Sequence, residues 1–167
     1  MSEIITITQS WIKDFIIKET ICPFASVPFI QDKIHYIVSQ DQSVPEQLQQ
    51  CLSICMQMHS DHSITTAFFI LDNTECDFEE LLDLKESCSI LLGDYNLDLE
   101  FQLVPFHPNF IFEGCNSTDP INETNRSPYP MIHILRESDV TQAVAIYGDI
   151  TSLLENNKIT TKRLFGK

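Results

Sequence analysis

The sequence predicts an α/β fold: a small, mostly parallel or mixed sheet of three to four strands, with packed helices and one long ordered loop. Three observations lead there. Short β-branched runs alternate with helical patterns in the order strand, helix, strand, helix, strand, which favours right-handed crossovers. The run from Ile64 to Leu71 is almost continuously apolar, as expected of a strand covered on both faces and lying at the centre of a sheet. From Pro105 to Pro130 no periodicity is visible, and five prolines and one glycine fall in the segment. An α+β two-layer sandwich, with helices on one face of a mixed sheet, is the alternative that fits the same pattern. At 167 residues and 43% apolar composition, the chain is expected to form a single domain over 1–167.

The first helix is predicted over about Thr8 to Glu19, where Trp11, Ile12, Phe15 and Ile16 recur at helical spacing and Lys13, Asp14 and Lys18 face away. It should stop near Cys22-Pro23, because the residue before proline avoids helical dihedrals. Lys33 to Ser39 is β-branched and aromatic and is expected to be a strand. Ser43 and Glu46 have the spacing of a capping box, with Pro45 in the first turn, and Leu48, Cys51, Leu52 and Cys55 continue one helical face. Asp77 and Glu80 offer a second capping box ahead of a helix ending at Gly93. Leu97, Leu99, Phe101 and Leu103 alternate with Asp98, Glu100 and Gln102, predicting a strand with one wet face near an edge. The long loop carries Phe106, Phe110, Phe112 and Tyr129, so it is expected to fold down onto the body. Ser138 to about Asn157 has a helical pattern broken at Gly148, where Asp149 can cap the second piece.

Charge narrows the partners. There are 24 acidic and 10 basic residues, a formal net of -14, which disfavours nucleic acid and anionic membrane surfaces. Between Ile34 and Asn125 there are 16 acidic residues and one basic residue, Lys85. The simplest meaning is a solvated, self-repelling surface. No basic leader precedes an apolar run at the start and no segment is long enough to cross a bilayer, so a cytoplasmic, membrane-free protein is expected. Six cysteines then suggest free thiols in a reducing compartment. Cys51 and Cys55 are expected to face the core rather than ligate metal. His59 and His62 are a weak metal pair, better explained by an exposed turn. No metal site is assigned, and neither a cofactor nor an oligomeric state follows from the pattern.

Three islands hold the chemistry: Cys22-Pro23-Phe24-Ala25, Phe106-His107-Pro108, and Asn125-Arg126-Ser127-Pro128-Tyr129-Pro130 running on to His133-Ile134-Leu135-Arg136-Glu137. Together they resemble the signature of the bacterial domain-of-unknown-function 1415 family, from Trp11 to the final helix. That resemblance implies no established activity. It points to Cys22, Pro23, Phe24, Phe106, His107 and Pro108, and to Asn125 through Pro130 with His133, Arg136 and Glu137. The family pattern often places a glycine just ahead of the cysteine motif, where this chain has Thr20-Ile21, a departure that bears on the local turn.

Physical chemistry attaches roles to these residues. Arginine is always charged and presents a planar fork suited to carboxylate or phosphate. If Pro130 opens a short helix, His133, Arg136 and Glu137 share one face. Arg126 is equally suited to bonding the loop's own carbonyls, and Arg136 and Glu137 to pairing at the surface. Cys22 has three readings: a small buried apolar group, a nucleophile paired with His107 or His133, or a metal ligand with them. The leading expectation is a hydrolase- or transferase-type enzyme acting on a small anionic ligand. Cys22, His107 and His133 would be catalytic, and Arg126, Tyr129, Arg136 and Glu137 would bind substrate. The alternatives are a non-catalytic metabolite- or protein-binding module and a His/Cys metal-binding protein.

Overall fold

The computed structural model describes residues 2–41, 43–72, 75–148 and 150–166. Helix α1, Glu3–Trp11, opens the chain and runs without a break into a π-helical stretch, Ile12–Ile17. A short α2, Ser26–Ile30, leads to strand β1, Ile34–Ser39. Then follow α3 (Val44–Ser60), β2 (Thr66–Leu71), α4 (Phe78–Asp94) and β3 (Phe101–Phe106). The loop holds one 3-10 turn, Pro120–Thr124, before β4 (Met131–Arg136), α5 (Glu137–Tyr147) and α6 (Ile150–Phe165).

The four strands form one mixed sheet in the order β1-β2-β4-β3. Only β1 and β2 are parallel; β4 is antiparallel to both neighbours, with Phe68 opposite His133 and Val104 opposite His133. This is the α/β architecture expected, in its mixed rather than mostly parallel form. Helices lie on both faces, which sets aside the two-layer sandwich. On one face Ala67, Phe69, Leu71, Ile132 and Ile134 pack with Cys51, Cys55, Leu81 and Cys88 of α3 and α4. On the other, Phe68, Ile70 and Met131 pack with Ile4, Trp11 and Ile12 of the first helix. β2 is buried along its whole length, which is why its side chains are apolar in both directions. No helix among the described residues is long and apolar enough to cross a membrane.

Local chemistry explains the element ends, including those that differ from expectation. The first helix begins at Glu3, not Thr8, because Ile4, Trp11 and Ile12 together cover the sheet, and buried Thr8 returns its hydroxyl to the Ile4 carbonyl at 2.9 Å. Ser43 accepts from the Glu46 amide, and Asp77 and Glu80 form the complete reciprocal box at 2.9 Å in each direction. α4 does not stop at Gly93. Its last turn closes three residues later, where Asn96 takes the left-handed conformation at φ 57° and the Leu97 amide reaches back to the Leu92 carbonyl at 2.9 Å. Leu97 is therefore the apolar partner of a helix end, and Leu99, 86% exposed, belongs to a turn, so β3 starts only at Phe101. It does lie at an edge, as its alternation predicts. The break between α5 and α6 comes at Gly148, φ 79°; the cap proposed for Asp149 falls outside the described residues.

The long loop folds onto the body. Buried Asn122 accepts from the Phe112 amide at 3.0 Å and donates to the Asn116 carbonyl at 2.8 Å, tying the loop to itself, while Phe110 packs on Phe78 of α4. α6 closes over the end of the first helix. Asn157 donates to the Ile21 carbonyl at 3.0 Å, and Arg163 pairs with Glu19 at 2.6 Å.

Between these two contacts Thr20 holds φ 56°, a conformation that glycine adopts freely and a β-branched residue resists. The turn thus has a backbone geometry that suits glycine better than threonine. Thr20 is exposed, so its side chain has no packing to lose. Thr20→Gly is expected to stabilise the protein by about 1 kcal/mol, raising Tm by about 2–4 °C in a calorimetric scan.

Candidate functional site

The stretch after Pro130 is strand β4, not a short helix. Its alternation, Met131, His133, Leu135 against Ile132, Ile134, Arg136, is the period of a strand, and the Pro130 carbonyl accepts from the Leu71 amide at 2.9 Å where the ladder begins. Side chains one residue apart therefore point to opposite faces. His133 and Arg136 are on opposite sides of the sheet, and Glu137 is the exposed first residue of α5.

Arg136 lies on the α3/α4 side, over the Phe101 ring at 5.5 Å. Its guanidinium donates to the Met58 carbonyl, to the Asp61 carbonyl at 3.3 Å and to the Ile64 carbonyl at 3.2 Å, and pairs with Glu100 at 3.1 Å. Glu100 in turn meets His59 Nδ1 at 2.6 Å. Arg136 is thus a clamp on the carbonyls at the end of α3, where the helix dipole favours a cation. Arg126 plays the same part in the loop, where it pairs with Glu123 at 2.5 Å and donates to the carbonyls of Phe110 at 3.3 Å and Ser117 at 2.7 Å. Both forks are engaged by the protein itself.

His107 is 2% exposed and fully engaged. Nδ1 accepts from the Asn109 amide at 3.0 Å, which leaves Nε2–H to donate to the Cys76 carbonyl at 2.9 Å. The ring rests against Phe78, on the α4 side. Cys22 is half-buried; burial pushes its thiol up, opposed only in part by the Phe24 and Ala25 amides that point at the sulfur. Among the described residues no hydrogen bond links Cys22 to either histidine, and no group of three or more His, Cys, Asp or Glu side chains is arranged to hold a metal ion.

His133 is different. It stacks on Phe68 with ring centroids 4.1 Å apart, tilts against Phe106 at 6.1 Å, and lies in a row with Tyr36, itself stacked on Phe68 at 5.9 Å. Its Nε2 is 2.7 Å from Thr66 Oγ1, which also lies 2.7 Å from the Ile134 carbonyl. A carbonyl can only accept, so the one hydroxyl proton of Thr66 goes to Ile134. His133 must then donate through Nε2–H, and Nδ1 carries a free lone pair. No described residue bonds to that nitrogen. Burial of the ring pushes its pKa down to about 3, so the imidazole is neutral at physiological pH. Beside it, Val104 and Phe106 are half-buried and Gln102 is exposed, so this part of the face is only partly covered. Trp11 packs on Phe106 at 5.5 Å, edge to face, and Tyr129 joins the same apolar cluster.

The model of one family, described as "Protein of unknown function (DUF1415)", matches residues 3–166. The chain belongs to that family. No curated protein and no solved structure matches it. Within this DUF1415 chain the signature residues divide by role. Arg126, Arg136 and His107 fasten backbone, whereas His133, Phe106 and Tyr129 share the face under α1. The islands do not converge on one Arg/His pocket. Thr66 and Phe68, not singled out as site residues from the sequence, complete the His133 surroundings, and Trp11 packs behind them on Phe106. Thr66 and Phe68 are two apart in a strand that pairs with β4, a signal visible only once that pairing is known.

Two outcomes follow for DUF1415 stability. Arg136→Ala strips the carbonyls of Met58 and Ile64 of their donor and leaves Glu100 without its cation, so chemical denaturation should show a loss of about 3 kcal/mol. His133 has a folded pKa of about 3, well below the ordinary 6.5, so the unfolded chain binds the extra proton between those values. Its contribution is complete above about pH 6.5 and is lost as pH falls toward 3, with a slope of at most about 1.4 kcal/mol per pH unit. Urea melts between pH 4 and 7 should show this component in the wild type and not in His133→Phe.

Proposed function

We propose that this chain binds a small, uncharged, planar molecule on the half-open face of its sheet, with His133 Nδ1 as the hydrogen-bond acceptor, and that it acts by recognition rather than catalysis. The observation that carries the reading is the fixed tautomer of His133: a neutral imidazole, locked by Thr66, whose remaining nitrogen is an acceptor without a partner among the described residues. Such groups, set in an aromatic wall, fix the orientation of a ligand held mainly by apolar contact. Phe106, half-buried beside His133, offers that apolar contact, and Phe68, stacked between His133 and Tyr36, holds the row in place.

The same facts weigh against the anionic substrate anticipated from the arginines. Arg126 and Arg136 are held by carbonyls and carboxylates, and a net charge of -14 repels anions at long range. They also weigh against hydrolytic or transfer chemistry. The Cys22 thiol is held away from its reactive thiolate form, His107 has both nitrogens engaged, and an imidazole with a pKa of about 3 is a weak base at neutral pH. Six free thiols support a reducing, cytoplasmic setting.

The test is a screen of uncharged heteroaromatic fragments by two-dimensional amide NMR, repeated on His133→Phe, which keeps the stack on Phe68 and leaves the Thr66 hydroxyl on Ile134. Fragments that bind the wild type should lose at least about tenfold in affinity to this variant. Saturable binding of an anion that Arg126→Ala abolishes, or fragment binding indifferent to His133, would overturn the reading.

A further inference from the structure

A cleft of about 270 Å³ runs between α4 and β3, lined by Lys85 and Leu92 of the helix, by Asp98, and by Phe101, Gln102 and Leu103 of the strand. Leu92, Phe101 and Leu103 are buried and make its floor apolar. α4 turns back into β3, so the two lie side by side in opposite directions. Lys85 stands two turns before Leu92, about 10 Å along the helix axis. Asp98 follows Leu97, whose amide closes on the Leu92 carbonyl. The ammonium and the carboxylate therefore belong to opposite ends of the cleft.

The outward backbone of the edge strand β3 is open only here. The Glu137 amide donates to the Glu100 carbonyl at 2.9 Å, so Gln102, Val104 and Phe106 turn their backbone to β4, while Phe101, Leu103 and Pro105 turn theirs outward. At one end the Phe101 amide donates to the Leu97 carbonyl at 3.0 Å. At the other, Asn125 donates to the Pro105 carbonyl at 3.4 Å and accepts from the His107 amide at 3.2 Å. Between these stops the Phe101 carbonyl and both backbone groups of Leu103 face the cleft, and no described residue bonds to them from that side.

We infer that this cleft binds a short peptide with free termini, extended beside Leu103 as an added strand, with its carboxylate at Lys85 and its ammonium at Asp98. The site is separate from the His133 face and does not depend on it. Main-chain pairing on a sheet edge, with a charged group to hold a terminus, is a recurring mode of peptide recognition. Three extended residues span about 10 Å, which matches the spacing of the two charges. Lys85 is the single basic residue between Ile34 and Asn125. It meets Glu86 at 3.5 Å, a surface pair that a bound carboxylate displaces at little cost. A zwitterion has no net charge, so it escapes the repulsion that a net charge of -14 exerts on anions and on a second copy of the chain.

Trialanine is the probe, followed by two-dimensional amide NMR. It should move the Leu103 amide proton downfield in a saturable way, as that N–H gains an acceptor. Trialanine acetylated at one end and amidated at the other keeps the backbone and loses both charges. It should bind at least about tenfold more weakly, a comparison that needs no variant. Lys85→Met should weaken trialanine by a similar factor and erase its advantage over trialanine amide. Asp98→Asn should erase its advantage over acetyl-trialanine. A Leu103 amide that trialanine leaves unmoved, equal binding of free and capped peptides, or binding indifferent to Lys85→Met would overturn the inference.

Discussion

The insertion of β4 between β2 and β3 is the constraint on which the rest depends. β4 is the last strand in the chain, yet it occupies the interior of the sheet and is antiparallel to both neighbours. An interior strand must satisfy its backbone on both edges and cover both faces with side chains, so its alternation is fully enforced. Ile132 and Ile134 go to the α3/α4 core, and Arg136 follows them to the carbonyls ending α3. Met131 and His133 go to the face under α1. A one-residue slip would exchange these sets and bury the arginine under the first helix while stripping α3 of its clamp.

The handling of positive charge follows from the same architecture. In a chain so acidic, the two arginines of the signature would be expected to meet anions from outside. Instead each planar fork serves several carbonyls at once, at a helix end and within a loop that has little regular hydrogen bonding of its own. Orphan carbonyls buried without donors cost more than a surface ion pair gains. Arginine, with five donors fixed in one plane, is the side chain able to answer three or four of them. The His107 ring does the equivalent between the start of the loop and Cys76. These are polar fasteners, and their presence lets a segment of more than twenty residues without strands stay on the body of the fold.

Legibility in the sequence is uneven for reasons that can be named residue by residue. Ile64 to Leu71 announces a central strand because a run buried on both faces has no polar position to hide. Asp77 and Glu80 announce a helix start because a reciprocal cap is local. Leu97 and Leu99 mislead, since an apolar residue closing a helix end falls into step with a following strand, and only the left-handed Asn96 separates the two. β4 is hidden behind Pro130, because a proline at the start of a strand and one in the first turn of a helix look alike until a partner strand is present. The residues of the candidate site are legible as a set, but their roles are not. Charge and histidine mark the positions where a fold needs polar chemistry, and the same residue types serve backbone and ligand.

What the amino-acid sequence determined by itself was therefore local and periodic: the α/β class, the buried β2, the caps at Ser43 and Asp77, the edge position of β3, the break at Gly148 and the membership of the chain in its family. What only the tertiary structure decided was long-range: that the sheet is mixed, that helices cover both faces, that Arg126 and Arg136 turn inward to carbonyls, and that His133 stands with Phe106 and Trp11 rather than with Cys22 or His107. The division has a physical origin. Caps and periodicity involve residues within a few positions of one another, whereas the partner of a β-strand or of a guanidinium is set by which distant segment supplies its unmet hydrogen bonds.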